Sequence, residues 1–249
     1  YAREHLNELF GKKYPKAFRQ QHISYYKEKD PSELALINYT SGTTGFSKGV
    51  MLPYRALWSN IDFAKGVLGK TIKKGDNTIS ILPMAHMYGM SFEFLFEFLH
   101  GCHVFYLTRV PSPAIIAQAF KDVKPAIVIA VPLVIEKIIR KKVFPQIQNT
   151  KVKLLMKMPG VGKKVKKRIC EQVYQAFGGN LYEVIIGGAA LNQEIESFLK
   201  DIDFPFTVGY GATECAPIIT YSDWHDFVPM SCGREVVHME VKIDSENPE

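Results

Sequence analysis

An α/β fold, with mostly parallel sheets covered by helices, is the class this sequence predicts, and three observations predict it. Short β-branched runs alternate with amphipathic segments along the whole chain, the pattern left by parallel strands joined through helices. The 249 residues are 47% hydrophobic, enough to bury a sizeable core. Apolar stretches such as Met87 to Leu99, interrupted by Glu93 and Glu97, are too short to cross a bilayer, so no transmembrane helix is expected.

The elements follow in order. Strands are expected at Ala35–Tyr39 and Gly49–Leu52, on either side of a loop rich in Ser, Thr and Gly, with a helix over Arg55–Leu68. A strand at Thr78–Leu82 leads to a helix over Met90–Leu99 and a strand at His103–Leu107. Ser112 and Pro113 are a helix-start signal, and Ile115, Ile116, Ala119, Phe120 and Val123 then share one helical face. A strand at Ala126–Ala130 precedes helices over Leu133–Lys142 and Val161–Phe177. Tyr182–Ile186, Phe206–Val208 and Glu240–Ile243 read as strands, with a helix over Gln193–Lys200. No internal repeat is visible. The chain falls into approximate halves, 1–144 and 160–249, joined by a basic stretch around Pro145 to Pro159.

The net charge of +6 is unevenly spread. The segment from Lys137 to Arg168 holds twelve Lys or Arg and no Asp or Glu, and the rest of the chain is net acidic, which argues against nucleic acid as a partner. Cys102, Cys170, Cys215 and Cys232 are scattered without a CxxC pair, so they suggest neither a disulfide framework nor a zinc site, and a reducing cytoplasm is the expected compartment. His100 and His103 flank Gly101 and Cys102 without a neighbouring carboxylate and read as structural. With no initiator Met before Tyr1 and an end on "KIDSENPE", the sequence reads as a piece of a longer protein.

The most informative stretch is "YTSGTTGFSKG", Tyr39 to Gly49. Glycines and small hydroxyl residues offer backbone N–H and O–H groups at close range, which suits phosphate oxygens, and Lys48 adds positive charge. The spacing argues against a mononucleotide P-loop, because Gly42 and Gly45 are too close together and Gly49 follows the Lys. The alternative is a polar hairpin tip between two strands.

"YTSGTTGFSKG" resembles the phosphate-loop signature of the adenylate-forming (AMP-binding) superfamily. "PMAHMYG", "GGAAL", "GYGATE" and "CGREV", ending in "VKI", resemble that superfamily's later motifs in the same order over residues 39–243. Two positions depart from the pattern. Ser47 stands for the usual Pro before the loop Lys, and Glu235 for the usual Pro after Gly233 and one basic residue; neither removes a reactive group.

The resemblance implies a set of site residues. Ser41, Gly42, Thr43, Thr44, Gly45 and Lys48 would close over the β and γ phosphates of ATP. Tyr210 and Gly211 of "GYGATE" would sit against adenine, Thr213 would hydrogen-bond the α-phosphate, and Glu214 would hold magnesium. Gly187, Gly188 and Ala189 would form the adenine edge, and His86 would line the carboxylate and acyl pocket in a positioning role. Lys48, Thr213, Glu214 and His86 are the catalytic candidates. Each has a plainer alternative: an exposed Lys, a Gly-rich turn with a solvated Glu, tight strand-to-helix packing, a structural His.

Within the superfamily, Pro83 to Phe96 lacks the Asp that holds an amino-acid ammonium and is rich in Met and Phe. The expected substrate is therefore an uncharged acid with an apolar tail, surrounded by candidates Met90, Phe92, Phe94, Leu95 and Phe96. The basic segment 137–168 resembles the insert of long-chain fatty acid CoA ligases. Its cations suit anionic lipid headgroups at a membrane periphery or the phosphates of CoA, and equally a solvated helix pair. The resemblance thus implies part of the large N-terminal domain of a fatty acid CoA ligase using ATP, Mg2+ and CoA. The ribose-binding Asp, the hinge and the C-terminal lid with its catalytic Lys would lie beyond Glu249, so that this piece alone would be inactive. Ligases for aryl acids or acyl carrier protein, and a non-catalytic acyl or nucleotide binder, remain the alternatives.

Overall fold

The computed structural model describes residues 4–17, 30–40, 46–108, 111–147, 154–156 and 158–245. The chain divides into two compact units, Tyr1–Glu33 and Leu34–Glu249. In the first, helix α1 (Leu6–Lys13) has Glu8 in its first turn, where it accepts a 2.6 Å bond from Lys12 one turn on. The sequence reading had no element there.

The second unit carries the fold. Strands β1 (Leu34–Thr40) and β2 (Lys48–Pro53) pair antiparallel, from Leu34 opposite Pro53 to Thr40 opposite Lys48. Helix α2 (Tyr54–Leu68) continues directly from β2. Strand β3 (Asn77–Ser80) pairs parallel with β4 (His103–Tyr106). Between them a π-helical segment, Gly89–Phe96, passes into a short α-helical turn, Glu97–His100, and the two together form α3. Helix α4 (Pro113–Val123) starts where the sequence signalled: Ser112 Oγ accepts from the Ile115 amide at 3.3 Å and Pro113 occupies the first turn.

Strands β5 (Ile127–Ala130), β6 (Glu183–Ile186) and β7 (Phe206–Val208) form a parallel sheet with β6 in the middle. Its helices are α5 (Pro132–Ile138, continued by a π-helical stretch Ile139–Val143), α6 (Val161–Ala176) and α7 (Gln193–Asp201), the last capped by Asn192. Because side chains alternate across a strand, Val128, Ala130, Val184 and Ile186 enter one core with Phe120, Ile135, Val173, Phe177 and Leu199. Ile127, Ile129 and Ile185 enter a second core on the opposite face with Phe63, Leu68, Tyr88, Phe92 and Phe96. A sheet covered on both faces is what a parallel, near-continuously apolar set of strands requires. The Ala126 amide, donating to the Asn77 carbonyl at 2.9 Å, links the start of β5 to β3.

A second antiparallel sheet, unforeseen from sequence, consists of β8 (Tyr210–Gly211), β9 (Ile218–Tyr221) and β10 (Arg234–Glu235). The fold class holds, with parallel central sheets and antiparallel pairing in the hairpin and this short meander. One expectation is corrected: Glu240–Ile243 is not a strand, because no partner pairs with it among the described residues. Glu93 and Glu97, read as interruptions of an apolar run, are both buried. Glu93 accepts from Ser80 Oγ (3.1 Å) and from the Ile81 and Leu82 amides (3.1 and 2.9 Å), and Glu97 from Thr78 Oγ1 at 2.7 Å. Burial pushes the Glu93 carboxyl up to about 7 despite these bonds, and Glu97 well above its ordinary value. Among the described residues, no helix is long and apolar enough to cross a membrane.

Candidate active site

A cleft of about 180 Å3 opens beyond the carboxyl ends of β6 and β7, the position where open α/β sheets gather ligands. One wall comes from the end of β6, with Ile185, Gly187 and Gly188. A second comes from Gly209 to Thr213 with Pro217 and Ile218, and the loop after β3 adds His86 and Tyr88. Of the residues singled out in the sequence, the structure therefore brings His86, Gly187, Gly188, Tyr210, Gly211 and Thr213 into one cavity.

The walls are built for close approach. The Gly187 amide donates to the Ala130 carbonyl at 3.0 Å, and a Cβ at Gly187 would lie 3.1 Å from the Tyr88 ring. At Gly211 a Cβ would stand 2.2 Å from the Pro217 carbonyl oxygen, a contact no side chain can make. At both positions the space a side chain would take is already filled by the protein's own atoms, so these glycines serve the close packing of the cleft wall. Tyr210 presents a half-exposed aromatic face beside them, suited to stacking. His86 is exposed, and its Nδ1 accepts from the Tyr88 amide at 3.2 Å.

Other candidates stand at the periphery. Ala189 is exposed just past Gly188 and does not line the cleft. Glu214 is exposed on the 3-10 turn Thr213–Cys215, next to the lining Thr213. Lys48 is exposed at the first position of β2, opposite Thr40, and lies outside the cleft lining. Ser41, Gly42, Thr43, Thr44 and Gly45 lie outside the described residues. In sequence they connect β1 to β2. The hairpin is tied to the cleft by Asn38, whose Nδ2 donates to the Ala85 carbonyl at 2.8 Å.

Among the described residues no group of three or more His, Cys, Asp or Glu side chains could hold a metal ion. A divalent ion here would take Glu214 as a protein ligand and need the remaining oxygens from a phosphate ligand and water, which is how magnesium is held with nucleotides. The single exposed carboxylate beside a hydroxyl-bearing cleft fits that mode.

Tyr88, Ile185 and Ile218 also line a smaller, apolar cavity of about 20 Å3, closed elsewhere by Phe63, Leu68, Phe92, Ile129 and Tyr221. The Tyr88 hydroxyl donates to the Ile185 carbonyl at 3.0 Å, which fixes the ring as a partition between cleft and cavity. Of the five residues expected around an apolar tail, Phe92 lines this cavity. Phe96 is core, and Met90, Phe94 and Leu95 do not line it. Tyr88, Ile185, Gly209 and Ile218 were not singled out beforehand. Tyr88 was legible in principle, since it stands inside "PMAHMYG" beside His86.

Comparison with known proteins identifies the family and the fold. A family model described as AMP-binding enzyme matches residues 3–249. The long-chain-fatty-acid–CoA ligase ACSBG2 of Homo sapiens is 27% identical over 94% of this chain and 38% of its own length. The long-chain-fatty-acid–CoA ligase 2 of Schizosaccharomyces pombe is 30% identical over 75% of this chain and 30% of its own. The chain thus spans well under half of the curated relatives it matches. The o-succinylbenzoate coenzyme A synthetase MenE of Bacillus subtilis, solved with ATP and magnesium ion, superposes with a TM-score of 0.63 at 18% identity, covering 87% of this chain and 38% of that one. At that identity the likeness establishes a shared fold.

Proposed function

The chain belongs to the AMP-binding enzyme family, and on that premise we propose that it is part of the large domain of a long-chain fatty acid–CoA ligase. The observation that carries the reading is the glycine-walled cleft at the ends of β6 and β7. The names of the curated relatives support a fatty acid as the substrate. MenE supports ATP and magnesium as companions of this fold, and also a second reading, in which the acid is aromatic.

In the proposed reaction a carboxylate oxygen attacks the α-phosphorus of ATP, the bond to the pyrophosphate oxygen breaks, and pyrophosphate leaves. The CoA thiol, losing its proton, then attacks the acyl carbon and releases AMP. Tyr210 stacks on adenine, while Gly187, Gly188 and Gly211 form the wall beside it, with Ala189 at the rim. Thr213 donates to the α-phosphate. Lys48, with Ser41, Gly42, Thr43, Thr44 and Gly45, neutralises the departing pyrophosphate, which is electrostatic and positional assistance rather than covalent chemistry. His86 orients the acid carboxylate at the cleft mouth. Magnesium held by Glu214 would supply charge neutralisation between phosphate oxygens.

The test is pyrophosphate release by the full-length parent protein across acids from acetate to palmitate and an aryl acid. Release should peak with a long chain and fall about 10²-fold or more in Lys48→Ala and Glu214→Ala. A maximum with the aryl acid would move the substrate to the second reading. Silence across the panel would point to a non-catalytic binder and overturn the proposal.

A further inference from the structure

The turn bearing Thr213 and Glu214 is held by side chains from two other elements. Within it, the Ala212 amide donates to the Pro217 carbonyl (2.8 Å) and the Cys215 amide to the Ala212 carbonyl (2.9 Å). Ala216 is in the left-handed region at φ 63°, which costs a non-glycine residue energy unless its surroundings hold it there. Asn60 of α2 supplies part of that hold. Its Nδ2 donates to the Cys215 carbonyl at 3.0 Å, and its Oδ1 accepts from the Ile218 amide at 2.9 Å. Nδ2 also donates to the Ala56 carbonyl at 2.9 Å, one turn back on its own helix, so the amide group is fixed in orientation. Ser91 of α3 completes the set, its Oγ donating to the Ala216 carbonyl at 2.8 Å.

Asn60 is 1% exposed and Ser91 0%. Buried polar groups that lose their partners cost more than an average hydrogen bond is worth, so these contacts constrain the turn strongly. Their anchor points matter as much as their number. α2 grows directly out of β2, whose first residue is Lys48, and α3 follows the loop that carries His86. Two buried side chains therefore join the turn of Thr213 and Glu214 to the two helices that follow directly on the segments bearing Lys48 and His86.

We infer that Asn60 and Ser91 are positioning residues for nucleotide binding, setting the Thr213–Glu214 turn in register with strand β2, which starts at Lys48. The inference rests on the function proposed above. It is tested on the full-length protein with Asn60→Leu, of similar size and without the amide, and with the milder Ser91→Ala. Amide hydrogen exchange over residues 212–219 should accelerate about tenfold or more in both variants, while β5–β7 exchange as in the wild type. In pyrophosphate release, KM for ATP should rise about five- to tenfold, and the magnesium requirement with it, while KM for the acid stays put. Ser91→Ala carries the test alone if Asn60→Leu does not fold. Wild-type exchange in the variants overturns the inference, as does faster exchange with an unchanged KM for ATP; both leave the ligase reading standing. A wild type that releases no pyrophosphate with any acid removes the ligase reading itself, and the nucleotide role with it.

Discussion

The parallel sheet β5–β7 and the hairpin β1–β2 meet water in opposite ways. Every residue of β5, β6 and β7 is buried. In the two strands of the hairpin Ile37, Tyr39 and Met51 are 48, 70 and 67% exposed, and Leu52 is the one buried residue among the described residues of β1 and β2. Parallel strands joined by helices are covered on both faces, whereas an antiparallel pair can pack one face on a core and leave the other to water. The two halves of the proposed site inherit this difference. Gly187, Gly188 and Gly209 leave strands clamped between two cores, so the cleft's shape is a property of packing. Lys48 stands at the end of a ladder, and its placement depends on the register of Thr40 opposite Lys48 and on the tie from Asn38 to Ala85.

The sharpest way to break this contrast is in the buried sheet. Ile186→Ala removes a fully buried side chain from the middle strand and should destabilise the protein by about 2–5 kcal/mol in urea unfolding. A loss under about 1 kcal/mol would mean that the sheet repacks freely and does not define the cleft. Next in size, Gly211→Ala places a Cβ against the Pro217 carbonyl. It should weaken nucleotide binding about tenfold or more, read by calorimetric titration of the full-length protein with ATP, while changing thermal stability less than Ile186→Ala.

A third, pH-dependent effect comes from Glu183, at the start of the middle strand. It is buried, accepting from the Tyr221 hydroxyl at 2.7 Å and the Trp224 amide at 2.9 Å, and desolvation pushes its carboxyl up to about 8. A folded carboxyl with a raised pKa binds its proton more tightly than the unfolded chain does. Its contribution to stability is therefore fully present below the ordinary carboxylate range and is lost as pH rises towards 8, by at most about 1.4 kcal/mol per pH unit. Glu183→Gln should flatten the decline in melting temperature between pH 5 and 9 and gain on the wild type at the alkaline end; parallel curves for the two proteins would refute this. The smallest effect belongs to the hairpin's wet face, where Met51→Ser should shift unfolding by no more than about 0.5 kcal/mol. A larger loss would show that this face is covered in solution.

What the sequence disclosed depended on whether the signal was local. Seven of the eight expected strands exist within two residues of their expected bounds, because continuous runs such as "AIVIA" and "EVII" carry their burial in their own composition. "EVKI" at 240–243 alternates as a strand should, yet strandhood is a relation between two segments, and the second one is missing among the described residues. The meander of β8, β9 and β10 failed for the converse reason: Tyr210–Gly211 and Arg234–Glu235 are two residues each, defined by partners rather than by pattern.

Glu93 and Glu97 interrupt the apolar run in sequence, and their burial was not legible there because the answering groups, Ser80 and Thr78, lie on another element. A pair of hydroxyls two apart on a strand, set against two carboxylates four apart on a helix, was the available clue. For the candidate site, motifs located half of the cleft-lining residues, since glycines and hydroxyls in fixed order carry their own signature. Asn60 and Ser91 bear no such mark, being single polar residues whose meaning appears only when the 213–218 turn is folded against them.

The two crowded glycines also divide the cleft into heritable and adjustable parts. A methyl group at Gly211 would occupy the space of the Pro217 carbonyl, which closes almost every codon change there to selection, while one at Gly187 would press on the Tyr88 ring and needs that ring to give way. Diversification within such a pocket has to run through the side chains around the glycines. His86, Tyr88, Ile185, Tyr210 and Ile218 are where descendants of this sequence can acquire a new preference without dismantling the frame that holds it.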